Sequence, residues 1–502
     1  MSDKLKAKSG LVKRRFVKKA FVLTIALVMV ISMFPFGVLA TGFGNFTYSY
    51  CFRGIPIPSP DAYRVSAFIL GSHLGVGDFR NPQDLFVFEN RIFVVDTGNN
   101  RIVVLYYTED SQHVVYEVVY YVNFDGVPSY FNSPHGIFVS HVGNKWIADT
   151  ENHRMLKVDS EWNVLKEVGH PEESMLDEGL HFLPNKLGAD RSGRLFVQAT
   201  HVNRGLMEFC NLGIFAGYMG AAPVWISPID RFWRMIATPA QRERMVLFTP
   251  TEYSNVHVDR EGFIFVTNSS PSPQVEAVRR LNAMGNDILI RNGVHDIVGD
   301  IVTGTGAGIS GPSRFIDVTS LPNDTFVAFD RTRGRMFKYD FQGNLLYVFG
   351  GRGNREGMFM LPSAICSMDY AIYALDAHTG AVTRLDLTEY GVLINDAMAL
   401  YRLGRYDESL GLWHEVLRVN GNFGIAYIGI ARALLRQGYY REAMRYFRLN
   451  DDFIGYGRAF GFYRRQWMEE NFWIFVIVVG SLLIIPPVIR TIRNVRRDVL
   501  AS

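Results

Sequence analysis

Six polar residues occupy equivalent places in a sequence repeat, each near the start of a short apolar run. They are Gln83, His135, Asn185, Asn255, Ser313 and Ser363. Their amides, hydroxyls and single imidazole can hydrogen-bond ordered water or a small polar ligand. They supply no negative charge to offset the hydration that a divalent cation loses on binding. We therefore predict a polar ligand-binding ring, with no catalytic residue, no metal and no other cofactor.

Other patterns that carry chemistry are missing from the sequence. There is no HExxH zinc motif and no nucleophile elbow, and the glycine-rich segments 304–308 and 351–357 lack the strand and helix of a nucleotide fingerprint. Cys51, Cys210 and Cys366 are widely spaced, so they form three free thiols or at most one disulfide. The net charge of +3 leaves no large basic face in the middle of the chain, which excludes nucleic acid as a partner.

The repeat itself consists of a Pro-led apolar strand, a turn, and a second strand that ends in Asp. In the two clearest copies an Arg follows the Asp by five residues, as Asp96 with Arg101 and Asp149 with Arg154. Six copies are visible, separated by 53, 50, 69, 62 and 46 residues. Short β-branched and aromatic runs at this period predict four-stranded blades arranged radially. Each Asp is expected to accept hydrogen bonds from turn amides and from its Arg, a structural role.

These motifs resemble the NHL repeat family over roughly residues 70–390. The match includes Gly350-Gly351-Arg352-Gly353, followed by Phe359 and by Leu361-Pro362, which is similar to that family's connection between blades. The resemblance implies a mainly β fold, a six-bladed β-propeller over residues 41–390. It also implies that the six polar residues surround the mouth of a central channel.

Three details of the propeller are predicted separately. Phe46–Phe52 is expected to supply the outer strand of the last blade and so to close the ring. Two amphipathic stretches, Asp230–Ile236 and Ala240–Met245, indicate a helical insertion between the third and fourth copies. Asp84 follows Gln83 directly and is expected to point away from the channel, because strand side chains alternate.

Two enzyme families with this architecture provide the alternative to a non-enzymatic function. Resemblance to peptidyl-amidoglycolate lyases implies zinc held by three channel histidines, of which only His135 is present. Resemblance to gluconolactonase-like proteins implies a divalent cation held by carboxylate and Asn side chains. Asn185 and Asn255 fit the amide positions, but no member of the ring is acidic.

After the propeller, the apolar period changes from two to 3.6 at Leu393, which indicates helices. Two similar turns contain Gly404 and Gly438, 34 residues apart. The spacing and the turns resemble the TPR family, so we predict two TPR-like repeats over residues 391–451. Two repeats are few for independent stability. We expect them to lean on the propeller, on a helix at residues 452–470, or on a partner.

Two apolar runs, one near each end, predict how the chain meets a membrane. Residues 1–40 combine a basic leader with an apolar run that ends at Ala40, which indicates a signal peptide or an uncleaved N-terminal anchor. Phe472 to Ile489 is an uncharged run of 18 residues, about 27 Å as a helix. Four arginines follow it. We predict a transmembrane helix at residues 471–489 and a basic cytoplasmic tail at residues 490–502.

The sequence thus predicts a single-pass protein of the cell membrane, with most of the chain extracytoplasmic. We expect a binding or assembly module. Its protein partner would bind to the TPR-like repeats and the propeller face, and its channel would hold a small polar ligand. A metal-dependent enzyme of the lyase or gluconolactonase type is the alternative.

Overall fold

A computed structural model describes residues 47–107, 114–171, 181–223, 227–238, 241, 250–268, 276–300 and 311–501. The predicted signal peptide or anchor at residues 1–40 lies outside these ranges. Residues Asn45–Ser502 form one compact unit.

The strands are numbered in chain order. They are β1 (Tyr48–Tyr50), β2 (Pro56–Pro58), β3 (Tyr63–Leu70), β4 (Asp84–Phe88), β5 (Arg91–Asp96), β6 (Arg101–Tyr107), β7 (Val114–Val119), β8 (Tyr121–Phe124), β9 (Val127–Tyr130), β10 (Pro134–Val139), β11 (Lys145–Asp149), β12 (Arg154–Val158), β13 (Val164–Val168), β14 (Pro184–Ala189), β15 (Leu195–Ala199), β16 (Gly205–Phe209), β17 (Phe215–Gly220), β18 (Asn255–Val258), β19 (Ile264–Thr267), β20 (Val278–Leu281), β21 (Phe315–Leu321), β22 (Thr325–Asp330), β23 (Arg335–Tyr339), β24 (Leu345–Gly350), β25 (Pro362–Met368), β26 (Ala371–Asp376) and β27 (Ala381–Leu387).

These strands form six antiparallel sheets that we number as blades one to six. Their own strands are β4–β7, β10–β13, β14–β17, β18–β20, β21–β24 and β25–β27. The innermost strands contact one another in that order, and β25 contacts β4, so the ring is closed. The fold is therefore a six-bladed β-propeller, as the repeat spacing predicted. β8 and β9 form a separate hairpin between blades one and two.

The Asp that ends the second strand of a blade ties together the turns around it. Asp149 accepts hydrogen bonds from the Asn132 backbone N–H and from the Arg154 Nε, each at 2.8 Å. Asp96 and Arg101 form the same pair at 2.6 Å. These contacts confirm the predicted pairing in the two clearest copies. In blade five it is replaced, because Arg335 bonds to Asp300 at 2.8 Å.

The ring is closed by a different strand from the one predicted. β3 pairs with β27 along its whole length, from Leu70 opposite Ala381 to Tyr63 opposite Leu387. The segment Phe46–Phe52 contributes β1, which pairs with β24 at the outside of blade five. The prediction was wrong because side-chain contacts fix β1 elsewhere: its Tyr50 hydroxyl donates to Asp300 at 3.0 Å.

Blade four has three strands, and its outer edge is covered by other means. The Ile288 N–H donates to the Arg280 carbonyl at 2.7 Å, and the Arg291 guanidinium donates to the Val278 carbonyl at 3.0 Å. Segment 286–291 therefore occupies the place of a fourth strand, so this edge is not open.

Helix α1 (Gly71–Leu74) follows β3, and helix α2 (Pro228–Ile236) lies between blades three and four. Helix α2 confirms the first half of the predicted insertion. Most of the second half, Ala240–Met245, falls outside the described residues.

The C-terminal helices are α3 (Glu389–Arg402), α4 (Tyr406–Val419), α5 (Gly424–Gln437), α6 (Tyr440–Leu449), α7 (Phe453–Glu470) and α8 (Phe472–Ala501). Thr388 caps the N-terminus of helix α3, because its hydroxyl accepts the Gly391 N–H. Ile394 of α3 belongs to the same apolar core as Phe349 of blade five. Ala459 of α7 packs in a second core with Phe447 of α6. The paired helices therefore lean on the propeller and on α7, as expected.

Helix α8 contains a 23-residue stretch, Phe472–Asn494, with a mean hydropathy of 2.6. None of this apolar segment is buried inside the protein. By length and composition it could cross a membrane. The helix continues to Ala501 instead of ending near residue 489. Pro486 and Pro487 each remove one backbone donor, but the helix runs through them, and the Thr491 hydroxyl donates to the Pro487 carbonyl at 2.9 Å.

Candidate ligand cavity in the propeller channel

A buried ion pair crosses the centre of the propeller. Lys186 lies on the innermost strand of blade three, and its Nζ is 2.5 Å from Oδ1 of Asp84 on blade one. The same ammonium donates to the Gln83 carbonyl at 2.8 Å. The other oxygen of Asp84 accepts the Ile137 N–H of blade two at 2.9 Å. One pair of side chains thus connects three blades.

Blade two leaves room for this crossing because its inward position is a glycine. A Cβ added to Gly136 would lie 2.3 Å from the Asn185 carbonyl oxygen of blade three. The two inner strands therefore approach too closely for any side chain at residue 136. This close approach also places Lys186 within reach of Asp84.

Asp317 of blade five repeats the role of Asp84 on the other side of the channel. Its Oδ2 accepts the Ile365 N–H of blade six at 2.7 Å, and its Oδ1 accepts the Val318 N–H at 2.6 Å. The Asn255 side-chain amide of blade four also donates to Oδ1. Burial raises the pKa of Asp317 to about 7, although the nearby Lys186 charge and the Ile365 N–H act to lower it.

These residues line a cavity of about 580 Å³ that extends to the loops joining the first and second strands of the blades. Its walls combine apolar and polar surface in nearly equal parts. Phe86 and Phe138 meet edge to face at 5.3 Å, and Leu187 and Val256 lie nearby. Cys366 also faces the cavity, but burial raises the pKa of its thiol to about 12, so it stays protonated and unreactive.

His257 and Ser320 form a hydrogen-bonded pair on the cavity wall. The Nε2 of His257 lies 2.9 Å from the Ser320 Oγ and accepts the Ser320 backbone N–H at 3.2 Å. Burial lowers the pKa of His257 to about 4, so the imidazole is neutral at physiological pH. Such a weak base is poorly matched to activating a serine at neutral pH. The pair is better suited to hydrogen-bonding a ligand.

Arginines neutralise most of the carboxylates at the cavity mouth. Arg280 bonds to Asp259 at 2.7 Å and to Asp324 at 3.3 Å. Asp324 also pairs with Arg402, which belongs to helix α3. Over the whole lining, seven carboxyl groups face four cationic side chains. The cavity therefore carries an excess of negative charge, and the helices contribute to its rim.

The structure does not bring the six predicted ring residues together. Among them only Asn255 lines the cavity. Gln83 donates to the Asn81 side chain at 2.8 Å, and the His135 Nδ1 lies 2.8 Å from the Ser133 carbonyl oxygen. Ser313 and Ser363 hydrogen-bond within their own blades, to Asp330 and to the Leu375 carbonyl. The Asn185 carbonyl oxygen lies against Gly136.

A β-bulge at the start of the inner strands explains this difference. In blade two Pro134 pairs with Asp149 and Gly136 pairs with Ala148, so His135 is skipped in the register. In blades two, three and six the inward position therefore comes two residues after the Pro instead of one. In blade five the bulge follows Phe315, three residues beyond Pro312, so the inward residue is Asp317 and not Ser313. The residues at this position are Asp84, Gly136, Lys186, Asn255, Asp317 and Ala364. The expectation that Asp84 points away from the channel was wrong for this reason.

The donor set does not fit a divalent cation. The described ranges contain no group of three or more His, Cys, Asp or Glu side chains placed to hold a metal ion. At the inward position, Asp84 is already neutralised by the ammonium of Lys186. A dication there would have to displace that ammonium.

Comparison with known proteins found only distant structural similarities. No protein-family model matches the chain, and no curated protein matches it. Among solved structures it is similar to virginiamycin B lyase from Staphylococcus aureus, with 10% identity and a TM-score of 0.40 over 65% of this chain and 100% of the other. It is also similar to a protein provisionally named a gluconolactonase, with 10% identity and a TM-score of 0.39 over 65% and 92%. The Malassezia sympodialis allergen Mala s 1 shows 13% identity and a TM-score of 0.37 over 61% and 93%.

Proposed function

We propose that the chain is a membrane-anchored, extracytoplasmic binding module, an NHL-type propeller joined to a TPR-like pair of helical hairpins. Its cavity takes a small molecule, and its exposed surfaces bind a protein partner. The ligand-binding function is supported by the cavity of about 580 Å³. The Asp84–Lys186 ion pair lies at the floor of this cavity. Its volume, and the combination of apolar surface with polar groups on its walls, are typical of ligand sites.

Binding is favoured over metal-dependent catalysis of the lactonase or lyase type by the state of the polar groups. Lys186 neutralises Asp84, and Asp317 is held by backbone and amide donors. His257 on the wall already accepts two hydrogen bonds from Ser320. These groups recognise a ligand without offering an open coordination site.

A protein partner is expected on the outer side of the helices, because their inner side contacts the propeller. Asn395 of α3 accepts the Lys338 ammonium of blade five at 2.7 Å, and Arg432 of α5 bonds to Gln342. Leu403 and Tyr439 are exposed at the turns within the two hairpins. An exposed apolar side chain at each turn favours a binding edge there.

The arginines near the end of α8 support one orientation of the chain in the membrane. Arg490 and Arg493 follow the uncharged run Phe472 to Ile489 of α8, and cytoplasmic flanks are enriched in arginine and lysine. This supports a cytoplasmic C-terminus and an outward-facing propeller.

The ligand-binding function is tested by blocking the cavity. Ser320→Phe places a ring inside it, whereas Ser192→Phe makes the same change at an exposed turn of blade three. Full-length protein of each type is purified in detergent, denatured and extracted for mass spectrometry. We expect a small molecule in stoichiometric amount from wild type and Ser192→Phe, and its loss from Ser320→Phe. A stoichiometric metal in the wild type would support the enzyme instead.

A further inference from the structure

We propose that the ligand carries a single ammonium group on an apolar body, and that the ammonium faces Asp317 at the floor of the cavity. The inference rests on the proposed ligand-binding function and specifies the chemical class of the ligand.

Asp84 and Asp317, the two carboxylates at the floor of the cavity, differ in their partners. Asp84 is paired with Lys186 at 2.5 Å. Asp317 receives hydrogen bonds only from neutral donors, the Val318 and Ile365 N–H groups and the Asn255 amide. Within the described part of the chain no ion pair reaches Asp317. It is the floor carboxylate whose charge a ligand cation can neutralise.

The mouth of the cavity favours the same sign of charge. Arg280 and Arg402 neutralise Asp259 and Asp324, and Arg260 pairs with Asp369 at 2.9 Å. After these pairs, carboxylates remain in excess among the lining residues. A cleft with an excess of one sign concentrates ligands of the opposite charge.

An anionic ligand fits this floor poorly. The ammonium of Lys186 already donates to Asp84 and to the Gln83 carbonyl. A ligand carboxylate would therefore enter beside Asp317 without a free cation, and an uncompensated buried charge is costly.

Part of the wall between mouth and floor offers apolar surface to the body of a ligand. Phe86 and Phe138 present aromatic surface, and Leu187 and Val256 complete the belt. The Ser320 hydroxyl donates to His257, so its oxygen is a polar group on this wall to which a ligand hydroxyl could donate. An alkyl or aryl amine combines both requirements, because its body fills the belt and its ammonium reaches the floor.

The test uses three probes of similar shape: 3-phenylpropylamine, 3-phenylpropanol and 3-phenylpropionate. Their affinities for the full-length protein in detergent are measured by isothermal titration calorimetry, with Ser320→Phe in the same detergent as the control for micelle partitioning. We expect the amine to bind at least about tenfold more tightly than the alcohol, because a charge-assisted hydrogen bond replaces a neutral one. We expect no binding of the carboxylate.

Asp317→Asn should reduce the preference for the amine over the alcohol to less than about twofold, since the charge is removed at nearly constant shape. The matched control Asp407→Asn, at an exposed position on α4, should keep the wild-type preference. If Asp317→Asn does not fold, the ranking of the three probes on the wild-type protein still decides. Equal affinities, preference for the carboxylate, or no binding of the amine would each overturn the inference. The proposed function would survive any of these results if Ser320→Phe still loses a copurified molecule.

Discussion

Lys186 and Asp84 belong to blades three and one, yet Lys186 Nζ lies 2.5 Å from Asp84 Oδ1. The pair bridges over blade two, where Gly136 contributes no side chain. Both charges are almost entirely removed from solvent, with side chains 8% and 11% exposed. Such a pair makes each partner depend strongly on the other.

Lys186→Met should lower the free energy of unfolding by about 3 kcal/mol, because it leaves the Asp84 carboxylate buried without its cation. Adding Asp84→Asn should recover part of this loss, since the uncompensated charge is then removed. Chemical denaturation of the single and double variants, followed by tryptophan fluorescence, measures the difference. A double variant less stable than Lys186→Met alone would contradict the pairing.

The sequence predicted where the inner strands lie but missed most of the residues that face inward, because the register of most of these strands is shifted by one residue. The repeat located the inner strands correctly: five of the six begin near a Pro, and in four blades the second strand ends in an Asp. The bulge at Pro134 is invisible in that pattern, so His135 was predicted to face the channel in place of Gly136. A usable signal was present: Lys186 is the one charged residue of its strand, which is buried. A charge at such a position needs a buried partner.

Arg154→Ala and Asp149→Ala should each reduce stability by about 1–3 kcal/mol, because each removes a charge-assisted hydrogen bond from a largely buried partner. The Arg154 Nε lies 2.8 Å from Asp149 Oδ2, so the double variant should cost less than the sum of the two. Denaturant midpoints of the four proteins give the coupling energy. Strictly additive effects would show that the two side chains do not act together.

Strand β1 shows a different limit of sequence reasoning. Tyr48, Ser49 and Tyr50 form a strand, as their composition predicts. Strand propensity does not indicate which blade edge a segment joins, because several edges offer the same backbone hydrogen bonds. The choice was made by tertiary contacts, including the bond from the Tyr50 hydroxyl to Asp300, 250 residues away. No local pattern contains that information.

Removal of α8 should release the protein from the membrane. A chain ending before Phe472 should appear in the aqueous fraction after carbonate extraction, whereas the full chain stays with the membrane, because Phe472–Asn494 is the described segment long enough to cross. Protease added to intact cells stripped of any wall should digest the propeller. A propeller protected from the protease would contradict the outward orientation.

A buried lysine lies where the propeller meets helix α3. The Lys338 ammonium donates to Asn395 at 2.7 Å and lies 5.6 Å from the ring centroids of Tyr63, Tyr347 and Tyr370. Within the described residues no carboxylate forms an ion pair with it. Burial therefore lowers the pKa of Lys338 to about 7.

Lys338→Met should stabilise the protein at neutral pH, by an amount that depends on pH. The pKa of Lys338 is about 7 in the folded state and about 10.5 when unfolded, so only the unfolded chain holds the proton between these values. Stability of the wild type should fall as pH is lowered from about 10.5 to about 7, and the variant should lack this slope. Thermal unfolding midpoints at pH 7 and pH 10 measure it: the variant should gain several degrees at pH 7 and little at pH 10, on the order expected for 1–3 kcal/mol. An equal shift at both pH values would mean that the lysine stays charged in the folded protein, held by its three tyrosine rings.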